Sequence, residues 1–229
     1  ERSLVQKSLP EVTVPDFPED ISELPKILNK ISTLKVFSIT KEDTKKTEQY
    51  QTELSRKKFE KKYSYNDFLK NLKIEYKIQK LKNNNQQRFV QLINKTNQFN
   101  LTTIRYSASQ INLMSKKKDI KMFSVSVNDK FGDLGIISVI ILKITKRQLY
   151  IDTLLMSCRA IGKDVEKSII NFIIDYRNKQ FPKHELIGIY QKTAKNEKLV
   201  SDFYTKNYFN SIKSRKNLQY FKCIDFKVR

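Results

Sequence analysis

The sequence is short of several residue types, and each shortage excludes a class of protein. Two cysteines, Cys158 and Cys223, in 229 residues are too few for a disulfide framework, so we expect a reducing, cytoplasmic setting. The one histidine, His184, excludes a histidine cluster for a metal and leaves a Ser-His-Asp triad dependent on a single residue. No apolar run approaches the roughly 18 to 20 residues that span a bilayer, so we expect no membrane segment.

Proline and glycine are also scarce, and their positions help to divide the chain. Four of the five prolines lie in LPEVTVPDFPEDISELP, which predicts an extended, turn-rich opening rather than a core element. The stretch 41–72 is highly charged with sparse apolar spacing, which is typical of exposed helix. We therefore predict a tail over residues 1–45, a helical connector over 46–72 and one main domain over 73–229.

Positive charge is what the chain has in excess. Its 45 Lys and Arg against 24 Asp and Glu give a formal net charge of +21 at pH 7, which raises the question of a nucleic-acid partner. The runs RKKFEKK and SKKKD lack the interleaved stacking aromatics of a nucleic-acid motif. We attribute the charge to lysines on solvated faces and expect no nucleic-acid partner, while attraction to acidic proteins or phosphorylated ligands stays open.

The main domain alternates between strand-like and helical periods. Residues 84–97 and 107–117, the stretch after Gly162 and the segment NEKLVSDFYTKNYF have helical spacing. Strand-like segments are KIEYKIQKL, IKMFSVSVND, GIISVIILKIT, QLYIDTLLMS and HELIGIYQK, with the short terminal pieces FNSIKS and QYFKCIDFKV. The turn KFGDLG, with two of the four glycines, predicts a hairpin between the second and third of these strands.

The join between QLYIDTLLMS and the following helix is the candidate binding site. A strand, a tight turn and a helix start leave unpaired N–H groups that attract an anion together with the helix dipole. Arg159, Gly162 and Lys163 stand at this join. An ordinary strand-to-helix turn is the alternative interpretation.

The spacing Arg159-x-x-Gly162-x-Asp164 resembles the pyrophosphate loop of GNAT acyltransferases, (Q/R)xxGx(G/A), whose backbone amides hold coenzyme A or phosphopantetheine. TAKNEKLVSDFYTKNYF resembles the later motif of that family, an Asn followed by a helix ending Tyr-x-x-x-x-Phe. Asp164 and Tyr208 depart from the small residue and the glycine usual at their positions. The resemblance implies cofactor contacts from Leu155, Ser157, Arg159, Ala160, Ile161, Gly162, Lys163, Asp164, Val165 and Asn196.

A longer resemblance rests on four segments that recur in order: LINKTNQFNLTTIRYS, VNDKFGDLGIISVIIL, IDTLLMSCRAIGKDVE and YQKTAKNEKLVSDFY. They resemble the C-terminal half of FkbH-like proteins, haloacid-dehalogenase-like enzymes with an appended GNAT-like domain, some of which load a glyceryl unit onto an acyl carrier protein. The opening ERSLVQKSLPEVTVPDFPEDISEL resembles the end of their phosphatase-like domain. No Asp-x-Asp pair, which that phosphatase needs, occurs in the chain.

The resemblance implies the acyl-transfer half of such a protein, with residues 1–45 a remnant of an upstream haloacid-dehalogenase-like domain. The expected fold is α/β (α+β): a GNAT-like mixed, mostly antiparallel sheet flanked by helices and splayed at the pantetheine site. The expected cofactor is coenzyme A or carrier-bound phosphopantetheine, with no metal. The expected partners are an acyl carrier protein and a small-molecule acyl donor or acceptor.

Three residues are candidates for catalysis. Cys158, beside a helix start and two cations, is a candidate nucleophile for relaying an acyl group between thioesters, or else a packed, inert thiol. Tyr204 matches the GNAT tyrosine that protonates a departing thiolate, with its hydroxyl expected to face the join; packing on the sheet is the alternative. Asp152, inside an apolar strand, is a candidate base or orienter, or the partner of a buried basic group.

The run NKTNQFNLTT carries amides and hydroxyls without a charge between Lys95 and Arg105, which suits hydrogen bonding to a polyol or a carbonyl. The resemblance to GNAT-like folds implies that the segment after the first strand lines the acceptor side. By that resemblance the substrate candidates are Asn97, Gln98, Asn100, Thr102 and Arg105. Loop capping by Asn and Thr is the alternative.

Three functions fit these patterns. The leading one is acyl or glyceryl transfer through a thioester, with an acyl carrier protein or coenzyme A supplying the pantetheine arm. The second is a coenzyme A-dependent N-acyltransferase acting on an amino sugar or amino acid. The third is a non-catalytic module that docks a carrier protein.

Overall fold

The computed structural model describes residues 2–9, 12–31 and 46–224. The chain divides into two compact units, Glu1–Thr44 and Lys45–Arg229. The described part of the first unit contains helices α1 (Arg2–Ser8) and α2 (Leu24–Lys30), and none of its described residues is buried. The interpretation of residues 1–45 as a phosphatase remnant stays a prediction, and residues 1, 10, 11 and 32–45 lie outside the described chain.

The second unit alternates helices and strands in the predicted order. Its helices are α3 (Lys46–Glu60), α4 (Tyr65–Leu72), α5 (Asn83–Lys95), α6 (Ala108–Ser115), α7 (Val165–Gln180) and the short α8 (Glu197–Val200). Its strands are β1 (Glu75–Lys80), β2 (Ile120–Asp129), β3 (Gly132–Ile144), β4 (Gln148–Met156), β5 (Glu185–Gln191), β6 (Phe209–Arg215) and β7 (Leu218–Cys223). Among the described helices, none is long and apolar enough to cross a membrane.

One seven-stranded sheet has the order β1-β2-β3-β4-β5-β7-β6. Every neighbouring pair is antiparallel except β4 and β5, which run parallel. The predicted mixed, mostly antiparallel sheet flanked by helices is thus confirmed. The predicted hairpin is also present, since β2 and β3 are joined through Lys130 and Phe131 and the φ of Gly132 is 129°.

The central strands are buried on both faces because helices cover each side. On one face α7 packs through Val165, Ile169 and Ile173 against a large apolar cluster, which follows the helical spacing of those residues. On the other face α5 and α6 pack through a second cluster that includes Phe89 and Ile111. The sheet is therefore the middle of three layers.

Helix α3, in the predicted connector, is tied to the β2–β3 hairpin by a buried ion pair. Arg56 donates to both carboxylate oxygens of Asp129, with Nε at 2.6 Å and Nη2 at 2.9 Å. Both side chains are buried. Bidentate pairing of an arginine with a carboxylate fixes the relative orientation of the two side chains in addition to pairing their charges. Helix α4 adds Phe68 and Leu72 to the buried residues.

The helix predicted over NEKLVSDFYTKNYF is wrong beyond its first turn. Helix α8 ends at Val200 and the chain continues through turns to Phe209. Tyr208 adopts a left-handed conformation with φ of 68°, and Phe203, Tyr204 and Phe209 enter the core instead of lining one helical face. Tertiary burial of aromatic side chains overrides the local helical period here.

Candidate functional site

Strands β4 and β5 separate beyond their first few residues. They pair only from Gln148 to Ile151 on β4 and from Glu185 to Gly188 on β5, although β4 continues to Met156 and β5 to Gln191. The predicted opening is present at this place. It widens toward the end of β4, where the chain passes into the join before α7.

The segment Phe99–Thr102 fills this opening. The Leu101 amide donates to the Leu154 carbonyl at 3.0 Å, and the Met156 amide donates to the Phe99 carbonyl at 2.9 Å, so the segment runs antiparallel to β4. On its other side the Gln191 amide of β5 donates to the Leu101 carbonyl at 2.7 Å. A short length of chain thus bridges the two separated strands.

Asn196 and Asn100 lock this bridge. The Asn196 side-chain amide donates to the Asn100 carbonyl at 2.8 Å and to the Gln191 carbonyl at 2.9 Å. Its oxygen accepts from the Thr193 amide at 2.9 Å. Both asparagines are fully buried, and the Asn100 side chain spans its own turn, from the Thr96 carbonyl to the Thr103 amide. Asn196, expected to contact the cofactor, holds the protein's own backbone.

Asp152 stands at the narrow end of the opening as an extra residue in β4. Ile151 pairs with Leu142 and Thr153 with Ile141, so Asp152 has no partner in β3 and forms a bulge. Its carboxylate lies 2.6 Å from Lys143 Nζ and accepts from the Tyr106 hydroxyl at 2.8 Å. Its carbonyl accepts from the Thr102 hydroxyl at 2.8 Å. The observed contacts match the alternative interpretation in part, since the carboxylate is paired with a basic group, although Lys143 is half-buried instead of buried.

The electrostatics of this cluster follow from burial and pairing. Burial, with the Asp152 carboxylate, raises the pKa of Tyr106 to about 12. Burial lowers the pKa of Lys143, but pairing with Asp152 outweighs it and the net shift is upward. Lys143 and Tyr106 therefore keep their protons at neutral pH, and Asp152 is held as their acceptor.

Cys158 lies at the wide end of the opening and is exposed. It opens a single 3-10 turn, Cys158–Ala160, directly after β4. Its sulfur lies 3.4 Å from the Gln98 Oε1, within hydrogen-bonding range for a thiol donor. Gln98 is exposed as well. The structure thus brings one predicted nucleophile and one predicted substrate residue together at the surface.

The start of α7 carries both features that attract an anion and features that oppose one. Gly162 has φ of 75°, and a Cβ placed there meets none of the described atoms within 4 Å, so its backbone is open to approach. The Asp164 carboxylate accepts from the Tyr65 hydroxyl at 3.1 Å and from Lys167 Nζ at 2.9 Å. Burial raises the pKa of Glu166. Two carboxyl groups therefore flank the helix start that was predicted to bind phosphate.

Lys163 turns away from solvent at this join. Its ammonium donates to the Arg159 carbonyl at 2.6 Å, and the residue is buried. Burial lowers the pKa of Lys163. The remaining predicted cofactor residues differ in exposure: Leu155, Ala160 and Val165 are buried, while Ser157 and Ile161 are half-buried.

Tyr204 departs from its expected orientation. The residue is 1% exposed and its ring packs among Phe203, Phe209 and Phe221. Its hydroxyl is buried and makes no hydrogen bond with any described residue. Burial strongly raises the pKa of Tyr204, and the nearby backbone of Ile189 offsets only part of the rise. The expectation that this hydroxyl points out of the core is wrong, because the turns after α8 fold the ring inward.

The other substrate candidates hold the loop itself. Arg105 donates to the Ile93 carbonyl and, at 2.9 Å, to the Thr96 carbonyl, which caps the end of α5. It also donates to the Asn97 side chain. Loop capping is therefore shared by Arg105 and Asn100, whereas the alternative interpretation named only Asn and Thr.

Sequence reasoning missed several residues around the opening. Tyr106 and Lys143 complete the Asp152 cluster, Gly188 makes room for Tyr204, and Tyr65 contacts the start of α7. Of these residues, only Gly188 could have been predicted from the sequence, since a lone glycine inside an apolar strand often marks a place where another group approaches the backbone closely. Across the described ranges 2–9, 12–31 and 46–224, no cluster of His, Cys, Asp or Glu could hold a metal ion.

Comparison with known proteins gives only distant likenesses. No family model matches the chain, and no curated protein matches it. A variant of the spermidine N-acetyltransferase SpeG from Vibrio cholerae superposes with a TM-score of 0.49 at 15% identity, covering 64% of this chain and 92% of that one.

Two other solved structures are similar to the same degree. The N-acetyltransferase PseH from Campylobacter jejuni has a TM-score of 0.44 at 18% identity, covering 64% of this chain and 96% of that one. The ribosomal-protein-S18-alanine N-acetyltransferase from Escherichia coli has a TM-score of 0.49 at 8% identity, covering 68% and 99%. No activity of this chain follows from likenesses of this size.

Proposed function

We propose that residues 45–229 form a GNAT-like acyltransferase domain that moves an acyl or glyceryl group through a thioester, with Cys158 as the group that receives it. One observation carries this proposal: the exposed thiol lies at the wide end of the opening between β4 and β5, at the join to α7. Thiolates are strong nucleophiles toward thioesters at neutral pH. Exposure of the thiol supports the proposal, because an acyl donor can approach it from solvent.

The transfer step is an exchange between two thioesters. The Cys158 sulfur forms a bond to the acyl carbon, the bond from that carbon to the donor sulfur breaks, and the departing donor thiolate takes up the proton that Cys158 gave up. Negative charge develops on the acyl oxygen during the attack. The Gln98 amide, 3.4 Å from Cys158 Sγ through its oxygen, can turn an N–H group toward that oxygen by exchanging the places of its O and N atoms.

Coenzyme A and phosphopantetheine fit this site in part. The open backbone at Gly162 suits the anionic end, although the Asp164 and Glu166 carboxyl groups stand beside it. The arm does not fit between the strands, because Leu154 and Met156 on the β4 edge already bond the segment Phe99–Thr102. The proposed transfer therefore uses no step in which an arm lies inside the sheet.

The contacts weigh against the N-acyltransferase alternative. That reaction needs a base for the amine, and the sequence candidate, Asp152, is paired with Lys143 at 2.6 Å and accepts from Tyr106. Both oxygens of this carboxylate are therefore already engaged by the protein's own groups. The docking-module alternative predicts carrier binding without transfer. A formal charge of +21 suits an acidic carrier protein whether the domain transfers an acyl group or only docks the carrier.

Intact-mass spectrometry tests the transfer. The full chain is incubated with S-acetyl-N-acetylcysteamine, with a glyceryl thioester of the same thiol, and with acetyl-coenzyme A. We expect a one-acyl adduct that disappears in Cys158→Ala and persists in Cys223→Ala, a matched control because Cys223 is buried. Loading that proceeds equally in Cys158→Ala, or no adduct with any donor, contradicts the proposal. A small amine is added in a parallel reaction. Formation of N-acyl product without an acyl adduct on the protein would support the N-acyltransferase alternative.

A further inference from the structure

We infer that the segment Phe99–Thr102 permanently occupies the opening between β4 and β5, so that acyl donors reach Cys158 from the rim and a pantetheine arm does not enter the sheet. The inference deepens the proposed function, because it states where the donor of that reaction can bind. It depends on the contacts of four consecutive residues and on what a ligand in the same place would need.

The segment uses the hydrogen-bonding groups that line the opening. On the β4 side it is hydrogen-bonded to the Asp152 and Leu154 carbonyls and to the Met156 amide. On the opposite side it is hydrogen-bonded to the Gln191 amide and to the Asn196 side chain. A ligand lying along β4 would have to form hydrogen bonds with these same edge groups. Leaving buried amides or carbonyls without a partner costs free energy.

Burial makes the segment costly to displace. Asn100 and Leu101 are 0% exposed, Thr102 is 4% and Phe99 is 5% exposed, and the Phe99 ring packs edge-on against Phe203. Displacing the segment would return two large apolar side chains, Phe99 and Leu101, from the core to water. It would also break the hydrogen bonds to both strands and to Asn196.

A pantetheine arm cannot offset that loss. It is thin and flexible and carries two amide groups, so it can replace some of the hydrogen bonds but not the buried phenyl and isobutyl groups. Thr102 further holds the segment to the bulge at Asp152, which is itself fixed by Lys143 and Tyr106. The accessible part of the site is therefore the rim around Cys158 and Gln98, which are both exposed.

Amide hydrogen exchange of the full chain, with and without acetyl-coenzyme A at millimolar concentration, tests the inference. The decisive probe is the Leu101 amide, which bonds Leu154 only while the segment is in place. We expect its exchange rate to be unchanged by acetyl-coenzyme A, whether or not the ligand binds elsewhere. Faster exchange at Leu101 on addition of the ligand would overturn the inference, since it would show the arm displacing the segment.

A loosened variant shows that the probe is sensitive. Thr102→Val nearly keeps the side-chain shape and removes only the bond to the Asp152 carbonyl. We expect exchange at Leu101 to become about fivefold faster, the factor for about 1 kcal/mol of hydrogen bonding. An unchanged rate would contradict the inference, because the segment would not then depend on these bonds.

The transfer assay separates this inference from the proposed function. If S-acetyl-N-acetylcysteamine fails to acylate Cys158 while exchange at Leu101 is unaffected by acetyl-coenzyme A, the proposed transfer is wrong and the inference about the occupied opening is supported. If acylation proceeds but acetyl-coenzyme A accelerates exchange at Leu101, the proposed transfer is supported and the inference is wrong.

Discussion

Tyr204 lies directly over Gly188, so close that a Cβ at position 188 would come within 2.3 Å of the Tyr204 ring. Gly188 is also the last residue of β5 that pairs with β4. The glycine thus allows an aromatic ring to cover the point where the two strands separate. A methyl group there cannot be accommodated by a small shift, because the ring is wedged among other aromatic side chains.

We predict that Gly188→Ala lowers the free energy of unfolding by about 2 to 3 kcal/mol through overpacking. The matched test is the same substitution in a Tyr204→Leu background, where the added methyl group finds space. Urea denaturation of the four proteins gives the coupling free energy. An equal cost in both backgrounds would show that Tyr204 does not set the requirement for glycine.

The buried hydroxyl of Tyr204 leads to a second prediction. Since it makes no hydrogen bond with the described residues, Tyr204→Phe removes a buried polar group that lacks a partner and raises the free energy of unfolding by about 1 kcal/mol. Acyl transfer to Cys158 should persist. A rate that falls 100-fold or more, with the fold intact by circular dichroism, would instead assign the tyrosine a proton-transfer role.

Gln98 gives a prediction about the rate of acylation. Removal of one donor to a developing oxyanion typically costs about 100-fold in rate, so Gln98→Ala should slow acylation of Cys158 by about that factor without changing the melting temperature, since the side chain is exposed. Gln87→Ala, at an exposed position of α5, is the matched control for loss of a surface amide. Acylation at the wild-type rate in Gln98→Ala would remove the amide from the mechanism.

How much of this molecule the sequence could predict depends on the range of the interactions. The strands β2 to β5 and helix α7 carry their periods locally, and the prediction located all of them. The bridge at Phe99–Leu101 has no period of its own, because its partners lie more than 50 residues away on β4 and 90 residues away on β5. The pairing of Arg56 with Asp129 spans 73 residues and likewise leaves no local signal.

The candidate site shows the same division. Matching short motifs predicted the opening between β4 and β5, which is present, and roles for Cys158 and Gly162 beside it, which stay predictions. It also assigned Asn196 to a ligand, whereas the side chain bonds the Asn100 carbonyl. A motif fixes which groups are available at a place, while the folded chain decides whether a ligand or the protein itself uses them.

Glu166 provides a prediction about pH. Burial raises the pKa of its carboxyl group, and one carboxylate oxygen has no partner within the described part of the chain. Asp164 raises this pKa further, while Lys163 and Lys167 oppose the rise. Because the folded pKa lies above the unfolded value of about 4.3, the folded state binds the proton more tightly. The free energy of unfolding therefore falls as the pH rises from the unfolded pKa through the folded pKa.

Glu166→Gln should therefore raise the free energy of unfolding at pH 7, where the wild-type group carries the buried charge. The gain should shrink as the pH falls and vanish below about 4.3, where Glu166 is neutral in both states. Urea denaturation from pH 7 down to pH 4 measures the difference, with Glu75→Gln at an exposed position of β1 as the control. A gain that is independent of pH would mean that the glutamine stabilises α7 through packing, and a loss at pH 7 would mean that the carboxylate favours the helix dipole more than burial opposes it.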